Sequence, residues 1–206
     1  MISLFIDTSI ANVSISIVKD NKILSIIQED IPNEHSKYAT SYVKKVIDEA
    51  GIDANDVDNI LVVNGPGSFT GVRIGVTIAK TYGYLINKEI IPVSSLKSLA
   101  LSTNQKGNIM SIINANRNNY YVGIYDENYN NIIDEQFVNT NKVLELIEEY
   151  NPYIVSNDFY VLGKYKFNKV NLDILNIVNY YSDKEKVHYH ALVPNYLKLP
   201  QALENK

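Results

Sequence analysis

The sequence predicts an α/β fold built twice along one chain, and three observations carry that expectation. Three short apolar-periodic strands precede a helix, a strand and a second helix. The same opening order restarts near Ile109. Between them, the apolar run Ile60–Val63 feeds directly into a glycine-proline loop, Asn64–Gly75, whose last residues open a helix.

Taken in order, Ser3–Ile6, Val13–Val18 and Ile23–Ile27 read as strands, with Asp20-Asn21 as a hairpin turn. Ser36 is the expected N-cap of a helix through Ala50, which Gly51 ends in the C′ position. Ile60–Val63 is a buried strand ahead of the glycine-rich helix. In the second half Ile109–Ile113, Tyr120–Tyr125 and Ile132–Val138 are strands, and Lys142–Tyr150 is a helix capped by Thr140. The chain therefore divides into lobes 1–103 and 104–206, the second the more divergent.

A strand-to-helix junction like Asn64–Gly75 presents backbone N–H groups at a positive helix end, which suits an anion or a close-packed neighbour. Asp7, Gly65, Gly67, Ser68, Thr70 and Arg73 are the candidate loop and anion residues. Spacing excludes a Walker-type phosphate loop, because Gly71 is followed by Val72 rather than lysine. It also excludes a dinucleotide fingerprint, because Thr70 stands where a third glycine is needed.

Within the following helix Gly71, Gly75, Ala79 and Gly83 recur every four residues and line one face. An interior glycine costs a helix about 1 kcal/mol relative to alanine, so the stripe predicts close backbone approach. The approaching element is either the chain's own sheet or a helix of another subunit. Val72, Val76, Ile74 and Ile78 form flanking ridges, with Lys80 and Tyr84 leading toward solvent. Of 19 basic residues 17 are lysine, which leaves arginine only at Arg73 and Arg117. An exception to so strong a lysine preference points to a planar, multidentate donor at Arg73.

Composition narrows the function classes. With 46% hydrophobic and 20% charged residues the chain is long enough for one large or two small cores. Having no cysteine, it holds no disulfide, thiolate metal site or cysteine nucleophile. The apolar start is cut by Asp7 and lacks a basic region, and no window approaches a membrane span, so a cytoplasmic protein without membrane attachment is expected. A net charge of -4 argues against broad nucleic-acid binding by the chain alone, although Lys164, Lys166 and Lys169 form a local basic cluster.

Catalytic candidates are few. Asp7 ends the first strand, where it either accepts turn N–H bonds or is the remnant of a nucleotide or metal-water contact. His188 and His190 would share a face if Val187–His190 is extended, but they lack a third defined ligand. Ser68 and Thr70 have no histidine at a recognisable spacing. No catalytic residue and no metal site are assigned.

The segment Gly65-Pro-Gly-Ser-Phe-Thr-Gly-Val-Arg-Ile-Gly75 resembles the bacterial TsaB (YeaZ) family. So do Ile6-Asp7-Thr8-Ser9, Asn33-Glu34-His35-Ser36, Pro92-Val93-Ser94-Ser95-Leu96 and the closing Pro194-Asn195-Tyr196-Leu197-Lys198. The resemblance implies a two-lobed actin-like (RNase H-like, ASKHA) fold with a degenerate second lobe. It implies no enzyme but an accessory scaffold or activating subunit. That subunit pairs with TsaD for threonylcarbamoyl transfer to the adenosine beside the anticodon of tRNAs reading codons that begin with A. The TsaE ATPase binds the pair, tRNA and ATP are met only through the complex, and the chain forms a homodimer when alone.

Carried onto this sequence, the pairing helices are Lys37–Ala50 and Gly71–Ile86. The contacts are Tyr38, Ser41, Tyr42 and Lys45 on the first and Val72, Val76, Lys80 and Tyr84 on the second. On this reading Val76→Asp breaks pairing without unfolding the lobe. The second lobe departs from the family: Asn114-Ala115-Asn116-Arg117-Asn118 stands where members often carry Asp-Ala-Arg before a glycine. Beyond Gly83 only Gly107, Gly123 and Gly163 remain, too few for a loop that wraps a triphosphate. Two alternatives stay open from the residues: an ATP-dependent small-molecule kinase or carbamoyltransferase, and a tRNA-binding module.

Overall fold

The computed structural model describes residues 1–30 and 35–198; Asn33, Glu34 and the side chains of His35 and Ser36, with the expected Ser36 cap, lie outside the described residues. The described residues form two compact units, Met1–Ser95 with Asp173–Pro194, and Leu96–Leu172 with residues 195–198. This differs from a contiguous division after residue 103. The segment after Ser95 belongs with the second unit, because Leu96, Leu99 and Ala100 bury against Ile109, Ile113 and Tyr125. Asp173–Pro194 belongs with the first, where Leu192 joins the core and Val187 pairs with Ile90.

In the first unit the elements run β1 (Ile2–Asp7), β2 (Asn12–Lys19), β3 (Lys22–Asp30), α1 (His35–Ala50), β4 (Asn59–Gly65), α2 (Phe69–Leu85) and β5 (Ile90–Ser94). The sheet order is β3-β2-β1-β4-β5. The first three strands form an antiparallel meander, and β4 and β5 add parallel to β1. Asp20 and Asn21 make the tight turn at φ 48° and 61°, as their side chains allow. Leu4, Ile6, Ile15, Ile17, Ile60 and Val62 alternate onto one face and pack against Ala39, Val43 and Val46 of α1 and Val72, Val76 and Ala79 of α2. Helix α1 ends in a Schellman turn: Gly51 at φ 65° donates its N–H to Asp48, and Ile52 donates to Ile47.

The second unit carries α3 (Ser95–Leu101), β6 (Ile109–Asn114), β7 (Asn119–Tyr125), β8 (Asn131–Asn139), α4 (Thr140–Tyr150), β9 (Tyr153–Ser156), β10 (Val161–Leu162), β11 (Tyr165–Lys166) and β12 (Asn168–Lys169). Read from β8, its main sheet runs β8-β7-β6-β9-β12, with the same antiparallel and parallel relations as the first. The duplication is therefore one of topology. It is degenerate at one place: between the fourth and fifth strands the first unit inserts α2, whereas the second inserts the two-stranded ribbon β10–β11. Helix α5 (Ile174–Tyr181) then returns to the first unit, beside β1 and β2.

The α4 cap differs from expectation. Asn139 occupies the N-cap and accepts the Lys142 N–H at 3.0 Å, while Thr140 begins the helix and donates its N–H and hydroxyl to Asn118 O. Strands β5 and β9–β12 and helices α3 and α5 are not legible as periodic runs, being short and largely fixed by long-range packing. No described helix is long and apolar enough to cross a membrane.

Candidate functional site

The glycine loop is built as much from the end of β1 as from its own residues. Ser68 donates its N–H to Ser9 O at 2.7 Å, and its hydroxyl accepts the Gly71 N–H at 3.3 Å as the cap of α2. Two of the N–H groups expected to face an anion are thus taken by the chain itself. Asp7 is 1% exposed and accepts the Ser9 N–H at 2.8 Å, the turn role weighed for it in the sequence. Gly65 lies at φ 127° and is buried, and Gly67 is half-buried with its α-carbon against Ser9. Thr70 and Arg73 point away to the exposed side of α2, where the guanidinium lies 3.7 Å from the Phe69 ring centre. The six loop and anion candidates therefore divide between a buried turn and an exposed helix face.

The stripe of small residues packs inward. A Cβ on Gly71 would overlap Thr8 O, and one on Gly75 would lie 2.6 Å from Thr8 Oγ1. Gly83 meets Lys88 O at 2.9 Å and Tyr189 Cβ at 3.1 Å by the same construction, and Ala79 is fully buried. Of the two neighbours anticipated for this stripe, the chain's own strand end and its return segment are the ones present.

The consequence is a correction to the expected pairing surface. Val72 and Val76 are 2% and 5% exposed and belong to the core, because they sit on the Gly71–Ala79 side of the helix. Lys80 is also occupied, donating to His190 O at 3.3 Å and Leu192 O at 3.1 Å. Tyr38 and Tyr42 stack at 5.8 Å and lean on the core, with the Tyr42 hydroxyl donating to Glu29 at 2.6 Å. Ser41, which donates to Tyr38 O, and Lys45, which pairs with Glu49 at 3.8 Å, are exposed. Tyr84 is exposed too and stands edge-on to Tyr189 at 5.8 Å.

The sequence reading missed Phe69, Thr77 and Leu85. Thr77 lies opposite the buried stripe, where the four-residue period also locates it, whereas Phe69 and Leu85 are the first and last residues of α2 and carry no such signal. Phe69 is 52% and Leu85 67% exposed. Thr40 of α1 joins Phe69, Arg73, Ile74, Thr77 and Ile78 around an open depression of about 430 Å³. At the seam between the helices, burial raises the Tyr82 hydroxyl above its ordinary value, with Lys44 opposing that shift. Lys44 is itself raised by its hydrogen bond to Asp48.

The histidine pair is arranged differently from the extended segment considered above. Val187 bridges to Ile90 and the chain then turns, leaving His188 and His190 with ring centres 5.3 Å apart and the His190 N–H donated to His188 Nδ1. Among the described residues no group of three or more histidines or carboxylates is placed so that it could hold a metal ion. In the second unit Asn114 accepts the Asn116 N–H at 2.8 Å at the end of β6, as Asp7 does for Ser9 at the end of β1. Asn116, Arg117 and Asn118 complete that turn at φ 65°, 52° and 59°.

Comparison with known proteins accords with this geometry. The family model described as TsaD, tRNA N6-adenosine threonylcarbamoyltransferase, matches residues 13–202. The Bacillus subtilis tRNA threonylcarbamoyladenosine biosynthesis protein TsaB is 31% identical, over 98% of this chain and 96% of its own. The Escherichia coli protein of the same name is 29% identical over 63% of this chain and 57% of its own. YeaZ from Pseudomonas aeruginosa superimposes with a TM-score of 0.78 at 22% identity, covering 95% of this chain and 99% of the other. That likeness and the twice-used sheet order give the actin-like fold. The chain belongs to the TsaB (YeaZ) family, within the wider TsaD family of folds.

Proposed function

We propose that this chain acts in tRNA threonylcarbamoyladenosine biosynthesis as a non-catalytic activating subunit that pairs with TsaD. The observation that carries the reading is the match to a TsaB protein over almost the whole of both chains. The first unit supplies a suitable surface. Helix α2 buries its small-residue stripe internally and turns Phe69, Arg73, Thr77, Tyr84 and Leu85 outward beside α1. Exposed aromatic and arginine side chains grouped on a rigid helix are the usual energetic centre of an interface.

On this reading the chain is cytoplasmic, meets ATP and tRNA through the complex with TsaD and TsaE, and self-associates through the same helices when TsaD is absent. The test is threonylcarbamoyl transfer to tRNA by purified TsaD and TsaE, supplied with the adenylate donor and ATP, with and without this chain. Modification that depends on the chain is the expected result. Unchanged modification together with no complex on size-exclusion chromatography overturns the reading, and ATP hydrolysis by the isolated chain then becomes the assay of interest.

A further inference from the structure

The ribbon β10–β11 takes the place in the second unit that α2 occupies in the first, and its two faces differ sharply. Tyr160, Leu162, Tyr165 and Phe167 turn inward onto the core formed by Met110, Ile112 and the α4 side chains. Tyr160 and Phe167 stack at 6.2 Å, Phe167 donates its N–H to Tyr160 O at 2.9 Å, and Leu162 pairs across from Tyr165. The ribbon is held firmly by that inner face.

On the outer face Phe159, Val161 and Lys166 are the alternate residues; Lys164 sits at the hairpin turn with its ammonium 5.1 Å from the Tyr165 ring centre, and Lys169 lies on the neighbouring β12. Phe159 is 70% and Val161 69% exposed, and Lys164, Lys166 and Lys169 are exposed with them. Val161 and Lys166 are cross-strand partners, and Lys169 places its ammonium 5.9 Å from the Phe159 ring centre. From residue 158 to 169 the one acidic side chain is Asp158, which accepts the Phe159 N–H at 2.7 Å. The segment 158–169 thus carries +2 on a chain of net charge -4, with Glu148 of α4 beside it, accepting from the Tyr165 hydroxyl at 3.4 Å. Single exposed apolar residues need no explanation. Two neighbouring ones framed by three lysines, on a ribbon whose core contacts are already made, match the combination that binds nucleic acid: cations for phosphates and an open aromatic face for a base.

We propose that the outward face of this ribbon, Phe159, Val161, Lys164, Lys166 and Lys169, is an RNA-contact surface that engages the phosphate backbone of the substrate tRNA and stacks an unpaired base on Phe159. The proposal rests on the reading of the chain as a subunit in tRNA modification. Aromatic stacking favours RNA over an acidic polypeptide, which would use the lysines alone.

The test titrates the assembled complex of this chain and TsaD with tRNA, using wild type, Phe159→Ala and the triple variant Lys164→Gln/Lys166→Gln/Lys169→Gln. All four positions are exposed, and thermal unfolding checks that the fold is kept. Phe159→Ala is expected to weaken tRNA binding about 5-fold. The triple variant is expected to lower the slope of log affinity against log salt by about 2. Complex formation should be unaffected by either. Wild-type tRNA binding and salt slope in both variants overturn the proposal and leave the pairing with TsaD standing. If no complex forms, the pairing itself fails and the same titration is made on the chain alone: binding weakened by the variants supports the RNA surface, and no binding overturns it. Displacement of tRNA by poly-glutamate as effectively as by RNA of equal charge reassigns the face to an acidic protein and overturns it too.

Discussion

Thr8 donates its hydroxyl to Gly71 O at 2.7 Å, and its own carbonyl occupies the space that a side chain on Gly71 would need. The end of β1 and the first turn of α2 are thereby locked backbone to backbone. This contact explains why position 71 is glycine, and with the close approaches at Gly67, Gly75 and Gly83 it turns the small residues to the internal seam.

Gly71→Ala is accordingly expected to destabilise the protein by about 2–3 kcal/mol, because the new methyl meets backbone that cannot rotate aside. Gly51→Ala meets nothing within 4 Å and is strained only by its φ of 65°. It should cost about 1 kcal/mol. Urea unfolding of the two variants separates steric overlap from backbone conformation.

Val76→Asp is expected to unfold the first unit rather than to disrupt pairing selectively. It places a carboxylate at a 5%-exposed core position, with a loss of about 3 kcal/mol or more. Tyr84→Asp and Arg73→Glu, both on the exposed face, should leave the melting temperature within a few degrees of wild type while weakening association with TsaD. Circular dichroism melting paired with size-exclusion chromatography distinguishes the two classes.

Lys97→Met should destabilise the second unit by about 2 kcal/mol, although the replacement is similar in length. Lys97 is 9% exposed, and its ammonium donates to Tyr129 O at 2.5 Å and Asn131 Oδ1 at 2.7 Å and lies 4.1 Å from the Tyr125 ring centre. Methionine leaves both acceptors without that donor. Denaturant unfolding followed by tyrosine fluorescence reads the effect.

Acid should weaken the fold through two turn carboxylates. Hydrogen bonds from the Asn130 side chain and backbone hold Asp126 below 3.8, and the Asn55 backbone and side chain do the same for Asp53. Both folded values lie under the unfolded one. Their contribution is therefore complete above about pH 3.8 and is lost as pH falls through the lowered values. Carboxyl NMR titration should give both groups midpoints below 3.8, and Asp126→Asn should flatten the acid limb of the stability curve.

Much of the fold is local enough to be read from residues. The Asp20-Asn21 turn, the Gly51 helix stop and the repeated order of strands and helix each depend on side chains within a few positions of one another. The stripe Gly71, Gly75, Ala79 and Gly83 is legible as well, because a helix fixes which residues share a face. Its covering is not. Thr8 lies 63 residues from Gly71 and Tyr189 lies still farther from Gly83, so a period in the sequence cannot say which face of α2 they take.

That choice decided the candidate site. Val72 and Val76 passed from surface to core once β1 and the return segment closed over the small residues, and Phe69, Thr77 and Leu85 became the exposed ones. The same holds for the ribbon, where neither two-residue strand has a period of its own. The sequence alone determined the family motif, the element order and the small-residue face, since these depend on composition and short-range geometry. Tertiary structure decided which faces are buried, which segments share a unit and which lysines and aromatics remain outward, because burial is a long-range competition that no local pattern records.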